Sequence, residues 1–267
     1  MLWDMHMHSC FSSDSEAQPE KMIQKAKEIG LTGIYFTDHM DYDYSKTEDI
    51  FTFDVKKYFE ALTPLKSNYD DHLKICIGLE LGLQPHLAKR HQTLLTAHPF
   101  DFVIGSSHLV NGEDPYYKEY FENKAEDDAY LDYFISIKEN ILAFDGFDVY
   151  GHLDYIVRYG PNKNKYYSYF KFKDIIDEIL KLLIERGKGI EINTGGFKYG
   201  LAHPNPTQDI IKRYKELGGE IITIGSDAHT PEHIGYDFNK LPAILKEAGF
   251  DYYTIFTNRQ PTFIKIV

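Results

Sequence analysis

The sequence predicts an α/β fold closed into a (β/α) barrel, on three observations. Short apolar runs alternate with longer segments of helical period along the whole chain. Its 267 residues suit seven or eight such units. No glycine-rich phosphate or dinucleotide fingerprint follows the first strand, which turns the reading away from an open doubly wound sheet. The predicted strands are LWDMH (2–6), GIYFT (33–37), KICIGLE (74–80), FDFVIGSS (100–107), FDVYGH (147–152), GIEINT (189–194), IITIGSD (221–227) and YYTIF (252–256). Each is dominated by apolar, β-branched or aromatic residues, as a strand covered on both faces requires.

The helices between them announce themselves by amphipathic spacing and by their ends. PEKMIQKAKEIG (19–30) offers Pro19 to a first turn and Gly30 to a C-terminal cap. DVKKYFEAL (54–62), PHLAKRHQTLL (85–95) and EDDAYLDYFISIKENIL (126–142) follow. FKDIIDEILKLLIERG (172–187) stops at Gly187, TQDIIKRYKELGG (207–219) starts on Thr207 as an N-cap, and LPAILKEAG (241–249) stops at Gly249. Two tyrosine-rich segments, 111–128 and 158–172, read as long loops. No extended linker, low-complexity tract or repeat interrupts the pattern, so residues 1–267 read as one domain.

Composition narrows the function. A net charge of −12 argues against a basic groove for nucleic acid, though it leaves room for a small phosphorylated ligand in a local positive field. Cys10 and Cys76 stand far apart with no CxxC, which fits free thiols in a reducing cytoplasm. No stretch is apolar for long enough to span a bilayer, and DMHMH falls where a leader's apolar run would lie.

The chemistry gathers at the strand ends. The first strand ends in His6 and His8, with Asp14 following; the second ends in TDH with His39; the third in GLE with Glu80. Then come SSH with His108, GHLD with His152, EINTGG with Asn193 and GSDAH with Asp227 and His229. In a parallel barrel all these ends share one rim. Six imidazoles and three carboxylates therefore collect at one mouth, more than one ion uses, and imply two or three divalent ions. Mixed nitrogen and oxygen donors suit zinc, iron or manganese better than calcium or magnesium. Three dications against three carboxylates leave about three positive charges, which a hydroxide and a dianionic phosphate offset. Phosphoester hydrolysis, very slow without a catalyst, is the chemistry such a centre serves.

Basic residues beyond the rim fit the same idea. Arg158, six residues past His152, is a candidate to grip phosphate in bidentate fashion, and Lys198 is a weaker one. His203, after the sixth strand, is a candidate substrate contact. Asp38 and Asp154 flank His39 and His152 and are candidates to orient imidazoles. His72, His86, His91 and His98 fall on helices or connectors and read as surface or packing residues, and His233 as a loop residue.

Taken in order, DMHMH, TDH, GLE, SSH, GHLD and GSDAH resemble the polymerase and histidinol phosphatase (PHP) superfamily, and FSSDS, LTGIYFTDH and HLDYIVRYG resemble its histidinol-phosphate phosphatase branch. The resemblance implies a distorted (β/α)7 barrel with a trinuclear metal centre that hydrolyses L-histidinol phosphate during histidine biosynthesis. It implies one ion on His6, His8, Glu80 and Asp227, a second on Glu80, His108 and His152, and a third on Asp14, His39 and His229, with Glu80 shared. Asp14 stands where some superfamily members carry histidine, and Ser12, Ser13 and Glu16 are its near alternatives; Asp4 would support the site from behind. Arg158 would stabilise the phosphate oxygens, and Asp14, His39 or His229 would pass a proton to the leaving oxygen. Two other activities share the scaffold, phosphatases for phosphotyrosine or other esters and PHP-type exonucleases; the acidic charge disfavours the second.

Overall fold

A computed structural model describes residues 2–45, 50–69 and 73–266. Seven parallel strands form a nearly closed barrel in chain order: β1 (Trp3–Met7), β2 (Gly33–Phe36), β4 (Lys74–Gly82), β5 (Phe102–Ser106), β6 (Val149–Tyr150), β7 (Gly189–Asn193) and β8 (Ile222–Gly225). A two-residue strand, β3 (His39–Met40), extends the β2 side and pairs with β4, His39 opposite Glu80. Every pairing in this sheet is parallel. All five residues of β1 are buried, because one face looks into the barrel and the other onto the surrounding elements.

Closure between β8 and β1 is made just beyond the end of β8. The Asp227 N–H donates to the His6 carbonyl at 2.8 Å, and the His8 N–H donates to the Ala228 carbonyl at 2.8 Å. Asp4 braces this seam. Its carboxylate accepts from the Ser226 N–H (2.9 Å), the Ser226 hydroxyl (2.5 Å) and the Gly235 N–H (2.9 Å). The seam therefore brings the first and last histidine motifs side by side.

Helices α1 (Pro19–Glu28), α2 (Val55–Tyr69), α3 (Ala88–Ala97), α4 (Glu126–Ala143), α5 (Lys173–Glu185), α7 (Gln208–Glu216) and α8 (Leu241–Glu247) connect the strands, and a one-turn helix, α6 (Gly195–Lys198), follows β7. α2 continues through Pro64 well beyond the stretch its spacing predicts. Gly30, Gly187 and Gly249 take positive φ at the helix ends where they were expected. Thr207 stands at the N-cap of α7, but its side chain makes no capping bond. Among the described residues no helix is long and apolar enough to cross a membrane. Cys10 is exposed and Cys76 buried, and both are free thiols.

The eighth predicted strand forms but does not join the barrel. β9 (Tyr252–Thr257) pairs antiparallel with β10 (Gln260–Lys265), and this hairpin closes the end opposite the histidines. The Tyr35 hydroxyl donates to the Phe256 carbonyl (2.6 Å) and accepts from the Phe256 N–H (3.1 Å). The Arg259 guanidinium pairs with Asp148, just before β6. β10 escapes prediction because its residues are mostly exposed, so no apolar run marks it.

Candidate metal centre

All nine predicted donors converge at the C-terminal rim, around Glu80. One Glu80 oxygen, Oε1, lies 2.8 Å from His152 Nε2 and 3.3 Å from His108 Nε2, and accepts from the Ser106 hydroxyl at 2.7 Å. The other, Oε2, lies 3.3 Å from His6 Nε2, 3.5 Å from His8 Nε2 and 3.0 Å from His39 Nδ1. Asp227 Oδ1 sits 3.4 Å from His8 Nε2 and 3.8 Å from His6 Nε2. Toward solvent, Asp14 Oδ2 lies 3.1 Å from His229 Nε2 and 3.6 Å from His39 Nε2. The donors thus form three adjoining groups, with Glu80 between the first two. Glu80, His6 and His8 are fully buried, whereas the Asp14 side chain is 40% exposed.

Tautomers decide whether these groups fit a metal. His6 Nδ1 faces Glu191 Oε1 at 2.7 Å, and His108 Nδ1 faces Asp41 Oδ2 at 2.6 Å. A carboxylate only accepts, so both Nδ1 atoms carry the proton and both Nε2 atoms present lone pairs. His8 Nδ1 meets the Ser12 hydroxyl at 3.0 Å, and that hydroxyl donates to Asp38 at 2.8 Å. His229 Nδ1 meets the Asp227 carbonyl at 3.1 Å. Four imidazoles therefore keep a proton on Nδ1 and aim Nε2 inward, so that in the neutral ring a metal takes it is Nε2 that offers the lone pair. The Nε2 atoms of His6 and His8 stand 3.1 Å apart, and Glu80 Oε2 and His39 Nδ1 are buried without a hydrogen bond. Ring nitrogens and carboxylates crowded this closely in a dry site need positive charge among them, supplied by protons on the rings or by metal ions in their place. The donor set fits divalent metal ions.

The electrostatics agree. Burial drives the Glu80 carboxyl up, but His6, His108 and His39 together hold it well below the usual carboxylate range. Asp227 is likewise opposed by burial and held low by His6, His8 and Arg158. Burial lowers His108, but Asp41 and Glu80 overcome it and push it up to about 10, so a metal binding there displaces a proton. Two donors pay in backbone conformation: Asp227 has φ 56° and His152 φ 22°, in the left-handed region that residues with a side chain rarely occupy. At the close approach of β8 to β1, a Cβ on Gly225 would lie 2.4 Å from His6 Cβ, so only glycine fits.

Arg158 is buried beside this centre. Its Nη1 donates to Asp227 Oδ2 (3.0 Å), Nη2 to Asn193 Oδ1 (3.1 Å) and Nε to Asn205 Oδ1 (2.9 Å). Three of its five N–H donors are used and two remain. Its guanidinium carbon stands 4.7 Å from the Tyr199 ring centre. A cavity of about 340 Å³ opens over the donors, and Arg158, Asp114 and tyrosines 44, 116, 117, 155, 159 and 199 help to line it. The Tyr44 hydroxyl donates to Asp114 across its wall.

Lys198 and His203 do not line this cavity. The Lys198 ammonium donates to the Asp227 carbonyl at 3.2 Å, and His203 Nδ1 faces the Pro204 carbonyl at 2.7 Å. Asp38 and Asp154 support the site by routes other than the expected ones. Asp38 acts on His8 through Ser12, and Asp154 accepts from Asn205 and the Thr207 N–H rather than from His152. His91 packs between Tyr42 and Phe144, His98 stacks on Phe59, and His86 pairs with Asp43 at the surface. His233 lies in a short turn after the seam, and His72 falls outside the described residues.

Three functional residues escaped the sequence reading. Glu191 holds His6 and also accepts from the His152 N–H at 2.9 Å; Asp41 holds His108; Asn205 holds Arg158. For Glu191 a signal existed, since a lone acid within the apolar strand GIEIN needs a buried partner.

Comparison with known proteins agrees with this geometry. The PHP domain model matches residues 4–195. The chain is 33% identical over 251 residues to a histidinol-phosphatase of Lactococcus lactis, covering 92% of this chain and 91% of that protein. It is 34% identical over 238 residues to a probable histidinol-phosphatase of Clostridium acetobutylicum, covering 89% and 90%. The crystal structure of histidinol phosphate phosphatase from Lactococcus lactis, complexed with zinc, L-histidinol and phosphate, superposes with a TM-score of 0.91 at 31% identity and covers 97% of this chain and 98% of that one. With its barrel, its rim of donors and its sequence all in accord, the chain belongs to the PHP domain family.

Proposed function

We propose that this chain is a metal-dependent phosphomonoesterase that hydrolyses L-histidinol phosphate to L-histidinol and phosphate, a step in histidine biosynthesis. The observation that carries the reading is the convergence of nine donors beneath a cavity, in a chain that matches a histidinol-phosphatase along nine-tenths of both lengths. Three zinc ions suit the three donor groups: His6, His8, Glu80 and Asp227; Glu80, His108 and His152; Asp14, His39 and His229. Bound there, the metal supplies positive charge for the phosphate oxygens and lowers the pKa of the attacking water.

The chain's own residues do the rest. Arg158 directs its two remaining N–H groups at phosphate oxygens, and its fixed fork favours the bidentate geometry. Asp14, His39 or His229, at the solvent side of the cluster, would pass a proton through water to the leaving alkoxide. The tyrosine-lined wall and Asp114 offer aromatic faces and a negative charge to the imidazole and ammonium of the substrate. Lys198 adds positive charge from behind Asp227, and His203 makes no contact in this reading. The free thiols favour a cytoplasmic setting.

The test is phosphate release by the zinc-loaded chain from histidinol phosphate, beside phosphotyrosine and single-stranded DNA. Turnover of histidinol phosphate far above the other two is expected. Equal or better turnover of phosphotyrosine overturns the choice of substrate, and hydrolysis of DNA alone overturns the enzyme class.

A further inference from the structure

Behind Arg158 lies a second layer of buried polar groups that touches neither the cavity nor any donor to metal. Asn205 is fully buried, and its side chain lies between two neighbours of fixed polarity. Asn205 Oδ1 accepts from Arg158 Nε at 2.9 Å, while Asn205 Nδ2 donates to Asp154 Oδ1 at 2.5 Å. Arginine only donates and carboxylate only accepts, so one amide orientation alone satisfies both. Asp154, itself fully buried, is anchored in turn by the Thr207 N–H at 3.0 Å. The Asn205 backbone is fastened to the end of β7 by a reciprocal pair, Asn193 N–H to the Asn205 carbonyl (2.8 Å) and Asn205 N–H to the Asn193 carbonyl (2.9 Å).

From this directional chain we infer that Asn205 and Asp154 are positioning residues for catalysis, acting through Arg158. Asp154 sets the Asn205 amide, and Asn205 sets the guanidinium about its Nε. The guanidinium then holds Asp227 Oδ2 by Nη1, which leaves Oδ1 facing His6 and His8, while Arg158 itself lines the cavity. Without the Nε bond, the guanidinium keeps two anchors, Nη1 on Asp227 and Nη2 on Asn193, and is freer to tilt away from the phosphate position. The inference rests on the phosphoester reading, because it takes Arg158 as the phosphate grip.

The test is a double-mutant cycle on the full zinc-loaded chain: Asn205→Ala, Arg158→Ala and the two together. It is read by affinity for inorganic phosphate and by turnover of a phosphate monoester, with melting temperature recorded. Asn205→Ala alone is expected to weaken phosphate binding and kcat/KM about 10–100-fold, the range for groups that orient an active residue. In the Arg158→Ala background the same change is expected to cost less than about 2-fold, because the residue through which it acts is gone. Should Asn205→Ala fail to fold, Asn205→Asp tests the same chain: it sets two carboxylates against each other and impairs activity. Adding Asp154→Asn restores a donor–acceptor pair and recovers most of it. Losses that multiply in the cycle, an unimpaired Asn205→Ala, or no rescue by Asp154→Asn overturn the inference. Phosphate affinity that depends on Arg158 without turnover of any monoester overturns the proposed function and leaves the positioning chain standing. Absence of phosphate affinity overturns both.

Discussion

Replacing Glu191 by glutamine tests the metal centre at the buried carboxylate that holds His6. Glu191 Oε1 accepts from His6 Nδ1 at 2.7 Å, and Oε2 accepts from the His152 N–H at 2.9 Å and from Asn193 Nδ2 at 3.2 Å. All four groups are buried. Glutamine has one oxygen for two sets of donors. With that oxygen toward His152 and Asn193, its amide faces His6 Nδ1 and drives the imidazole proton onto Nε2, where the lone pair for metal is lost. With the oxygen toward His6, the amide confronts two buried donors. Either arrangement costs about 1–3 kcal/mol of unmade buried hydrogen bonding. At 1.36 kcal/mol per tenfold, that is about a 5- to 150-fold loss in zinc affinity, bracketing the 10–100-fold seen when groups orienting metal ligands are changed. The assay is zinc titration against a competing chelator, with melting temperature and far-UV dichroism as controls for folding. Parent zinc affinity in a folded Glu191→Gln protein would refute the tautomer reasoning.

Other perturbations separate the centre from its scaffold. Gly225→Ala places a Cβ 2.4 Å from His6 Cβ and 2.5 Å from Glu191 Oε1, so zinc retention measured after dialysis should fall sharply, with about 1–3 kcal/mol lost from denaturant stability. Tyr35→Phe removes both hydroxyl bonds to Phe256 and should cost about 1–3 kcal/mol in urea unfolding, while zinc affinity at the far end of the barrel is unchanged. Burial lowers the His91 imidazole from 6.5 to about 4, so the native state binds it neutral and the unfolded chain takes the proton first. The stability this withholds from acid is present above pH 6.5 and is lost as pH falls toward 4, by about 3 kcal/mol in all. His91→Phe should flatten that part of the stability–pH curve, and an unchanged slope would place the titration elsewhere.

The candidate metal donors were legible because two independent regularities coincide on them. Strand period locates the end of each apolar run, and histidine or acid stands at nearly every such end, from His6 to His229. Parallel topology does the rest by placing these ends on one rim. What supports the donors was hidden, since those contacts join residues far apart in the chain and carry no local period. Glu191 meets His6 across 185 positions, and Asp41 meets His108 across 67. Asp38 and Asp154 show the limit from the other side. Nearness in sequence suggested His39 and His152 as their partners, but Asp38 points away from its neighbour His39, Asp154 lies beyond the end of β6, and each carboxylate reaches a group on another element. The β9–β10 hairpin misled the strand count for a related reason. YYTIF has the composition of a barrel strand, and only the exposed return strand β10, with no apolar signature, turns it into a cap.

The central claim is that side chains spread from position 6 to position 229 share a single polynuclear metal centre. Anomalous diffraction at the zinc edge, from crystals of the zinc-loaded chain, examines it most directly. About three peaks grouped around the Glu80 carboxylate are predicted, the inner two flanking it and the outer one beside Asp14. Peaks confined to surface histidines such as His86, with none near Glu80, would contradict it.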